Sequence, residues 1–353
     1  MEAIRRGYEV HIVTTLTDKF EALECCGIIV HSLKIKRQGI NIINSIVGMF
    51  QLLKIFHFVK PDIVHFITIK PILLGGLVAR VAQVPCVVAA VSGLGFVFTA
   101  RGWKSSIRKK LVGFLYNIAF RHPNLKVIFQ NKDDLFELTS RIKLKKSDIA
   151  LIPGSGVDLT RFCHTALPKG VPIVMLAARL LIDKGVGEFV QSARILKHRG
   201  CLARFVLVGD VDSANPTSLD DGQIASWNLE GYVECWGSMS DMNTVLSYAT
   251  IIVLPSYREG LPKVLIEAAA CGRPVITTDV PGCRDSIQPG ITGILVPPYD
   301  AESLASAVQY LLDNPVCCQV MGDLGRKFAE SAFDVRSVVS KHMEIYEELV
   351  MRA

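Results

Sequence analysis

The chain has 353 residues, half of them apolar and one fifth charged, with 27 glycines and 16 prolines. That is enough apolar material for two ordinary cores, and it excludes collagen-like, low-complexity and disordered readings. The formal charge of +6 divides unevenly: residues 1–160 carry 22 Lys and Arg against 11 Asp and Glu, whereas the remainder carries 17 against 22. An anionic partner is therefore expected for the first half alone, a membrane surface or a nucleic acid. No RNP, zinc-finger or helix-turn-helix signature supports a nucleic acid.

The chain opens with Met1–Arg6, which reads as the tail of a helix closed by Gly7, and no secretory signal is visible. A doubly wound domain ordinarily opens with a strand, so the first domain is expected to lack its first strand and loop. β-rich runs then predict strands at Tyr8–Thr14, Asp62–Ile67, Cys86–Val91 and Lys126–Gln130, and longer periodic stretches predict helices at Asn41–Val59, Pro71–Ala82 and Ser105–Phe120. Lys54 and Arg121 interrupt or end the most apolar stretches too early for a membrane span. A turn-rich segment, Pro153–Gly170, marks the boundary between halves. Beyond it, strands are predicted at Ile173–Ala177, Phe205–Val208, Tyr232–Cys235, Ile251–Leu254, Pro274–Thr277 and Gly293–Val296.

Continuous apolar strands alternating with helices require parallel sheets covered on both faces. The expected fold class is α/β: two doubly wound, Rossmann-like domains facing a cleft, residues 1–160 and 161–353, with a last helix able to pack back on the first domain. The ten cysteines show no CxxC or Cys/His ligand spacing, and the eight histidines are scattered. Reduced thiols and no metal site are expected. No GxGxxG follows a predicted strand, which argues against a nicotinamide cofactor.

Chemistry concentrates in the second half. Pro255-Ser256-Tyr257-Arg258-Glu259-Gly260-Leu261-Pro262 runs into a helix that carries Glu267. Pro262 suits the first helical turn, and the backbone N–H groups of Lys263, Val264 and Leu265 would then face an anion. Glu267 lies about 7.5 Å further along the axis. Two carboxylates would bracket a phosphate site, an arrangement suited to a sugar and a ribose on either side of a diphosphate. Upstream, strand Ile173–Ala177 leads into Arg179 and Lys184-Gly185, placing two cations where open α/β sheets bind ligands. Taken singly, either Glu is more often a solvated or capping residue, and Arg179 or Lys184 could as well be a surface ion pair.

Together they carry a resemblance. Arg179…Lys184-Gly185, Glu259 and Glu267 eight residues apart, and Gly272-Arg273-Pro274-Val275-Ile276 resemble the retaining, two-Rossmann-domain (GT-B) glycosyltransferases of family four. Gly154-Ser155-Gly156-Val157-Asp158 is similar to that family's inter-domain segment. Val91-Ser92-Gly93-Leu94-Gly95, Phe129-Gln130-Asn131 and Gly209-Asp210 look like its capsule, O-antigen and lipid-linked glycan branch. The resemblance implies a UDP-sugar donor and a polyprenyl-diphosphate-linked sugar acceptor. Arg179 and Lys184 would bind the donor diphosphate with help from Gly209, Gly260, Leu261 and the amides of Val264 and Leu265. Glu259 would hold the transferred sugar and Glu267 the ribose; Ser92, Gly93, Gly95 and Lys70 would line the acceptor side. Relatives place a His where Ser92 stands, so no catalytic imidazole is expected there.

The implied setting is cytoplasmic, peripheral on the inner face of the bacterial membrane. Lys34–Arg37 before the apolar stripe Ile42–Leu53, and Trp103 among Arg101, Lys104 and Arg108–Lys110, are the candidate lipid contacts. Two other readings stay open at this point: a catalytically silent nucleotide- or partner-binding protein, and a nucleotide-sugar epimerase.

Overall fold

The computed structural model describes residues 1–15, 20–33, 42–94, 112–213 and 215–353. Gly95, Lys34–Arg37 and the Arg101–Lys110 stretch with Trp103 lie outside the described residues, as does the start of the helix expected from Ser105. The chain forms two compact units: Met1–Phe129 with Asp134–Ile152 and Val339–Ala353, and Gln130–Asp133 with Pro153–Val338.

The first unit holds two parallel sheets. One pairs β1 (His11–Thr14) with β2 (Ile29–Ser32). The other is four-stranded, in the order β3 (Ile63–Ile67), β4 (Cys86–Val91), β5 (Leu125–Phe129) and β6 (Ile149–Leu151). Strands β2 and β6 were not expected from the sequence. Each is short and only partly buried, and the three apolar residues of Ile149–Leu151 are too brief a run to mark a strand alone. β4 and β5 are buried along their whole length, which is why they read so clearly. Helices Ile42–Val59 and Ile69–Val81 cover this sheet through Leu52, Leu53, Phe56, Ile72 and Val78. Helix Ile42–Val59 buries only one side, leaving Ile46, Val47, Phe50 and Phe58 exposed. No helix among the described residues is long and apolar enough to cross a membrane. The first unit also takes in the end of the last helix, Val335–Arg352, where Lys126 Nζ meets Glu348 at 2.9 Å.

The second unit is built on one six-stranded parallel sheet: β7 (Ile173–Ala177), β8 (Arg204–Val208), β9 (Glu234–Gly237), β10 (Ile251–Leu254), β11 (Val275–Thr278) and β12 (Gly293–Val296). Their order, β9-β8-β7-β10-β11-β12, is the doubly wound 3-2-1-4-5-6 arrangement. Alternate residues of β7 feed two separate cores, Val174 and Leu176 on one face and Ile173, Met175 and Ala177 on the other. Strand β9 starts two residues later than its expected position at Tyr232, since its pairing with β8 begins at Glu234, opposite Val206. The connecting segment is tied into this unit: Val157 N–H donates to the Phe333 carbonyl at 2.8 Å and Val335 N–H to the Val157 carbonyl at 3.0 Å.

Candidate functional site

In the doubly wound order the connections change direction between β7 and β10, and ligand crevices form at the carboxyl ends of such neighbouring strands. The loop after β7 carries Arg179 and Lys184; the loop after β10 carries Glu259 and leads to Glu267. Backbone contacts lock the two loops together. Gly185 adopts φ +71°, and a Cβ there would lie 2.2 Å from the Pro255 carbonyl oxygen. Tyr257 N–H donates to the Asp183 carbonyl at 2.9 Å, and the Tyr257 hydroxyl donates to Glu188 at 2.7 Å. Burial and that carboxylate acceptor hold the Tyr257 phenol well above its usual range.

Gly209 closes β8 against the start of the Arg179 loop. Its φ is +135°, and a Cβ would lie 1.9 Å from the Ala178 carbonyl oxygen. The loop that follows is zipped to Arg179–Ile182 by Leu180 N–H to the Asp210 carbonyl and Ile182 N–H to the Thr217 carbonyl.

Both cations meet carboxylates. Arg179 Nη1 is 2.7 Å from Asp212, with the guanidinium largely in solvent. Lys184 Nζ pairs with Glu259, where little of either side chain is exposed. Helix Lys263–Ala270 begins one residue later than expected, with Pro262 as its N-cap at φ −70°, ψ 116°. Leu265 was expected to offer a free amide. Its N–H instead donates to the Pro262 carbonyl at 3.1 Å, and its side chain lies in the core. A tight first turn satisfies that donor within the helix. Leu261 is also buried, packed beneath Gly154.

Glu267 sits one turn into this helix with its side chain 8% exposed and Lys263 Nζ at 3.2 Å. Burial raises its pKa, while the charges of Lys263 and Arg161 pull it back. Arg161 was not picked out as a site residue; it lies a hundred residues away in sequence, and only its position in the connecting segment brings it near Glu267.

The acceptor-side candidates lie in the first unit. Lys70 stands in the first turn of the helix after β3, and Ser92 and Gly93 follow the adjacent β4. Thr68 N–H donates to the Ala90 carbonyl at 3.1 Å, joining the two strand ends. Gly93 adopts φ +96°. Among the described residues no three His, Cys, Asp or Glu side chains cluster as a metal site would require.

Residues 171–314 match the family described as glycosyl transferases group 1, and residues 1–131 match the family described as glycosyl transferase 4-like. The chain is a glycosyltransferase of this group. This glycosyltransferase is 27% identical, over 98% of its own length and 92% of the relative's, to the N,N'-diacetylbacillosaminyl-diphospho-undecaprenol alpha-1,3-N-acetylgalactosaminyltransferase of Campylobacter jejuni. It is 26% identical to the UDP-Gal:alpha-D-GlcNAc-diphosphoundecaprenol alpha-1,3-galactosyltransferase of Escherichia coli, over 89% and 82% of the two chains. Among solved structures it superposes on a sucrose-phosphate synthase from Thermosynechococcus elongatus with a TM-score of 0.83 at 23% identity, covering 99% and 91% of the chains. It also superposes on HepE from Anabaena, solved with UDP and glucose, with a TM-score of 0.78 at 17% identity over 98% and 94%. The glycosyltransferase thus has the GT-B fold of two Rossmann-like domains.

Proposed function

We propose that this glycosyltransferase moves a hexose or N-acetylhexosamine from a UDP-sugar onto a polyprenyl-diphosphate-linked sugar, with retention at the anomeric carbon. The observation that carries the reading is the pairing of Lys184 with Glu259 beside the start of the Glu267 helix. Lys184 and Glu259 stand on the two loops at the switch point of the doubly wound sheet, and the chain after Glu259 runs into the helix that carries the buried Glu267. The relatives named for α-1,3 transfer onto undecaprenyl-diphosphate-linked sugars support the acceptor class and the retention, since common UDP-hexoses carry the α configuration.

In this reading Arg179, Lys184 and the amides of Lys263 and Val264 hold the diphosphate, Glu267 accepts from the ribose hydroxyls, and Glu259 accepts from hydroxyls of the transferred sugar. The bond from the anomeric carbon to the β-phosphate oxygen breaks. The acceptor hydroxyl oxygen bonds to the same face of that carbon, and its proton passes to the departing phosphate oxygen. Negative charge grows on the leaving diphosphate, and preorganised cations stabilise such charge most where water is excluded. Lys70, at the start of the helix after β3, and Ser92 and Gly93, after β4, are read as the acceptor side.

The first half is read as resting on the cytoplasmic face of an anionic membrane. Phe50 and Phe58 are 62% and 86% exposed on helix Ile42–Val59, with Lys54 between them in sequence. Exposed apolar side chains beside basic ones suit an interfacial contact.

The deciding experiment incubates the protein with a panel of UDP-sugars and undecaprenyl-diphosphate-linked N-acetylhexosamine, following both UDP release and the lipid-linked disaccharide. Disaccharide formation supports the reading; UDP release or sugar isomerisation without it overturns the reading. A parallel co-sedimentation with phosphatidylglycerol vesicles compares wild type with the Phe50→Asp/Phe58→Asp variant. Undiminished binding by the variant removes this helix face from the lipid contact.

A further inference from the structure

Asn131 lies just past β5, in the short segment Gln130–Asp133 that belongs to the second unit although the chain on either side of it belongs to the first. Its side chain is buried, and its Nδ2 donates to the Gly260 carbonyl at 2.7 Å. A carbonyl can only accept, so the amide face of Asn131 is settled by chemistry. Gly260 stands between Glu259 and Leu261, and its own side is crowded. Gly282, at φ +79°, packs so closely that a Cβ would lie 2.5 Å from both the Glu259 and Gly260 carbonyl oxygens. Glu259 N–H donates to the Pro281 carbonyl at 3.1 Å.

The same segment makes a second attachment. Arg284 Nη1 reaches Asp133 at 3.1 Å while its Nε reaches Asp279 at 2.7 Å. Gln130–Asp133 is thus clipped to both loops that frame Glu259: Asn131 to Gly260, and Asp133 to Arg284 beyond Gly282.

We infer that Asn131 is a positioning residue for the donor sugar: by holding the Gly260 carbonyl it fixes the Gly260–Leu261 peptide, and with it the course of the backbone immediately after Glu259 and the place of that carboxylate. The inference rests on the reading of Glu259 as the sugar-binding carboxylate. A glycine peptide rotates readily once its hydrogen bond is lost, since no Cβ restricts it. Hydrogen bonds to a sugar hydroxyl fail when the acceptor moves by a fraction of an ångström to an ångström. Arg179, read as a diphosphate contact, follows β7, and Glu267, read as the ribose contact, lies a turn inside its helix, so UDP affinity depends less on that rotation than sugar affinity does.

The test measures UDP and UDP-N-acetylgalactosamine affinity by isothermal titration, with transfer kinetics and thermal melts, for wild type, Asn131→Ala, Asn131→Asp and Glu259→Gln. UDP affinity of Asn131→Ala stays within about twofold of wild type, while the ratio of UDP-sugar to UDP affinity, and kcat with it, falls about tenfold. A loss of general packing would lower the melting temperature and leave that ratio alone. If Glu259→Gln lowers the ratio and neither Asn131 variant does, the positioning role is overturned and the reading of Glu259 stands. If Glu259→Gln leaves the ratio unchanged, the reading of Glu259 falls and takes the inference with it. Should Asn131→Ala fail to fold, the nearly isosteric Asn131→Asp, which lacks the N–H donor, is read in its place. If that variant also fails to fold, Asn131 holds the fold and the inference is overturned.

Discussion

The Lys184 ammonium and the Glu259 carboxylate form an ion pair across the loops that follow β7 and β10, with their side chains 18% and 13% exposed. Each group neutralises the other in a site that excludes much of the solvent. In the proposed reaction the same ammonium faces the diphosphate and the same carboxylate faces the sugar.

Removing either cation should therefore have different consequences for stability. Lys184→Ala leaves a mostly buried carboxylate without its partner and is expected to cost about 2–3 kcal/mol, together with a loss of turnover of about 100-fold or more. Arg179, whose side chain is 60% exposed beside Asp212, should cost less than about 0.5–1 kcal/mol when replaced by alanine, while turnover still falls at least about tenfold. Thermal melts and steady-state UDP release separate the two; equal melts for both variants would contradict the burial argument.

Glu267→Ala should weaken UDP binding by about 1.5–3 kcal/mol, the loss of a hydrogen bond to a charged acceptor. Burial raises the pKa of this carboxyl in the folded chain. A carboxyl with a raised folded pKa binds a proton more readily when folded than when unfolded, so its own contribution to stability improves as pH falls through that window and is lost above it. Ligand affinity runs the other way, because only the ionised form is a pure acceptor for ribose hydroxyls. UDP-sugar affinity, measured by titration between pH 7 and pH 5, is expected to weaken on acidification in wild type and to stay flat in Glu267→Gln. Parallel profiles would remove Glu267 from the nucleotide contact.

Two glycines should respond oppositely to alanine. At Gly209 the left-handed-side backbone and the Ala178 carbonyl leave no room for a methyl group, so Gly209→Ala is expected to cost about 2 kcal/mol or more. Gly187, exposed in helix Val186–His198, has nothing within 4 Å of the position its Cβ would take. There Gly187→Ala should add about 0.5–1 kcal/mol. Urea denaturation midpoints give both signs in one series.

His65 in β3 shares a 2.6 Å hydrogen bond with the Tyr346 hydroxyl and stacks on the His342 ring. Its Nε2 is buried without a hydrogen-bond partner among the described residues. Burial, reinforced by the neighbouring His342, lowers its pKa to about 4. Because the unfolded chain takes up that proton near pH 6.5 and the folded chain does not, stability should fall as pH drops from about 6.5 towards 4, by about 3 kcal/mol at most. Imidazole resonances followed by NMR should show one histidine still neutral at pH 5, and that signal should vanish in His65→Gln.

The fold class was legible in the sequence, and the candidate donor-side residues could be singled out there. Strands such as β4, β7 and β10 are buried on both faces, so their apolar runs are continuous and could be read without a partner strand. β2 and β6 escaped because they are short and partly exposed, and a run as brief as Ile149–Leu151 does not mark a strand by itself. Arg179, Lys184, Glu259 and Glu267 stood out because each follows a readable strand or opens a readable helix. What they face was decided only by tertiary structure. Strand order cannot be read from chain order, and it is the adjacency of β7 and β10 that sets Lys184 against Glu259. The same holds for Arg161 beside Glu267, Leu265 spending its amide on Pro262, and Asn131 reaching the Gly260 carbonyl. Periodicity reports whether a residue is buried; which partner it is buried against depends on packing between segments far apart in the chain.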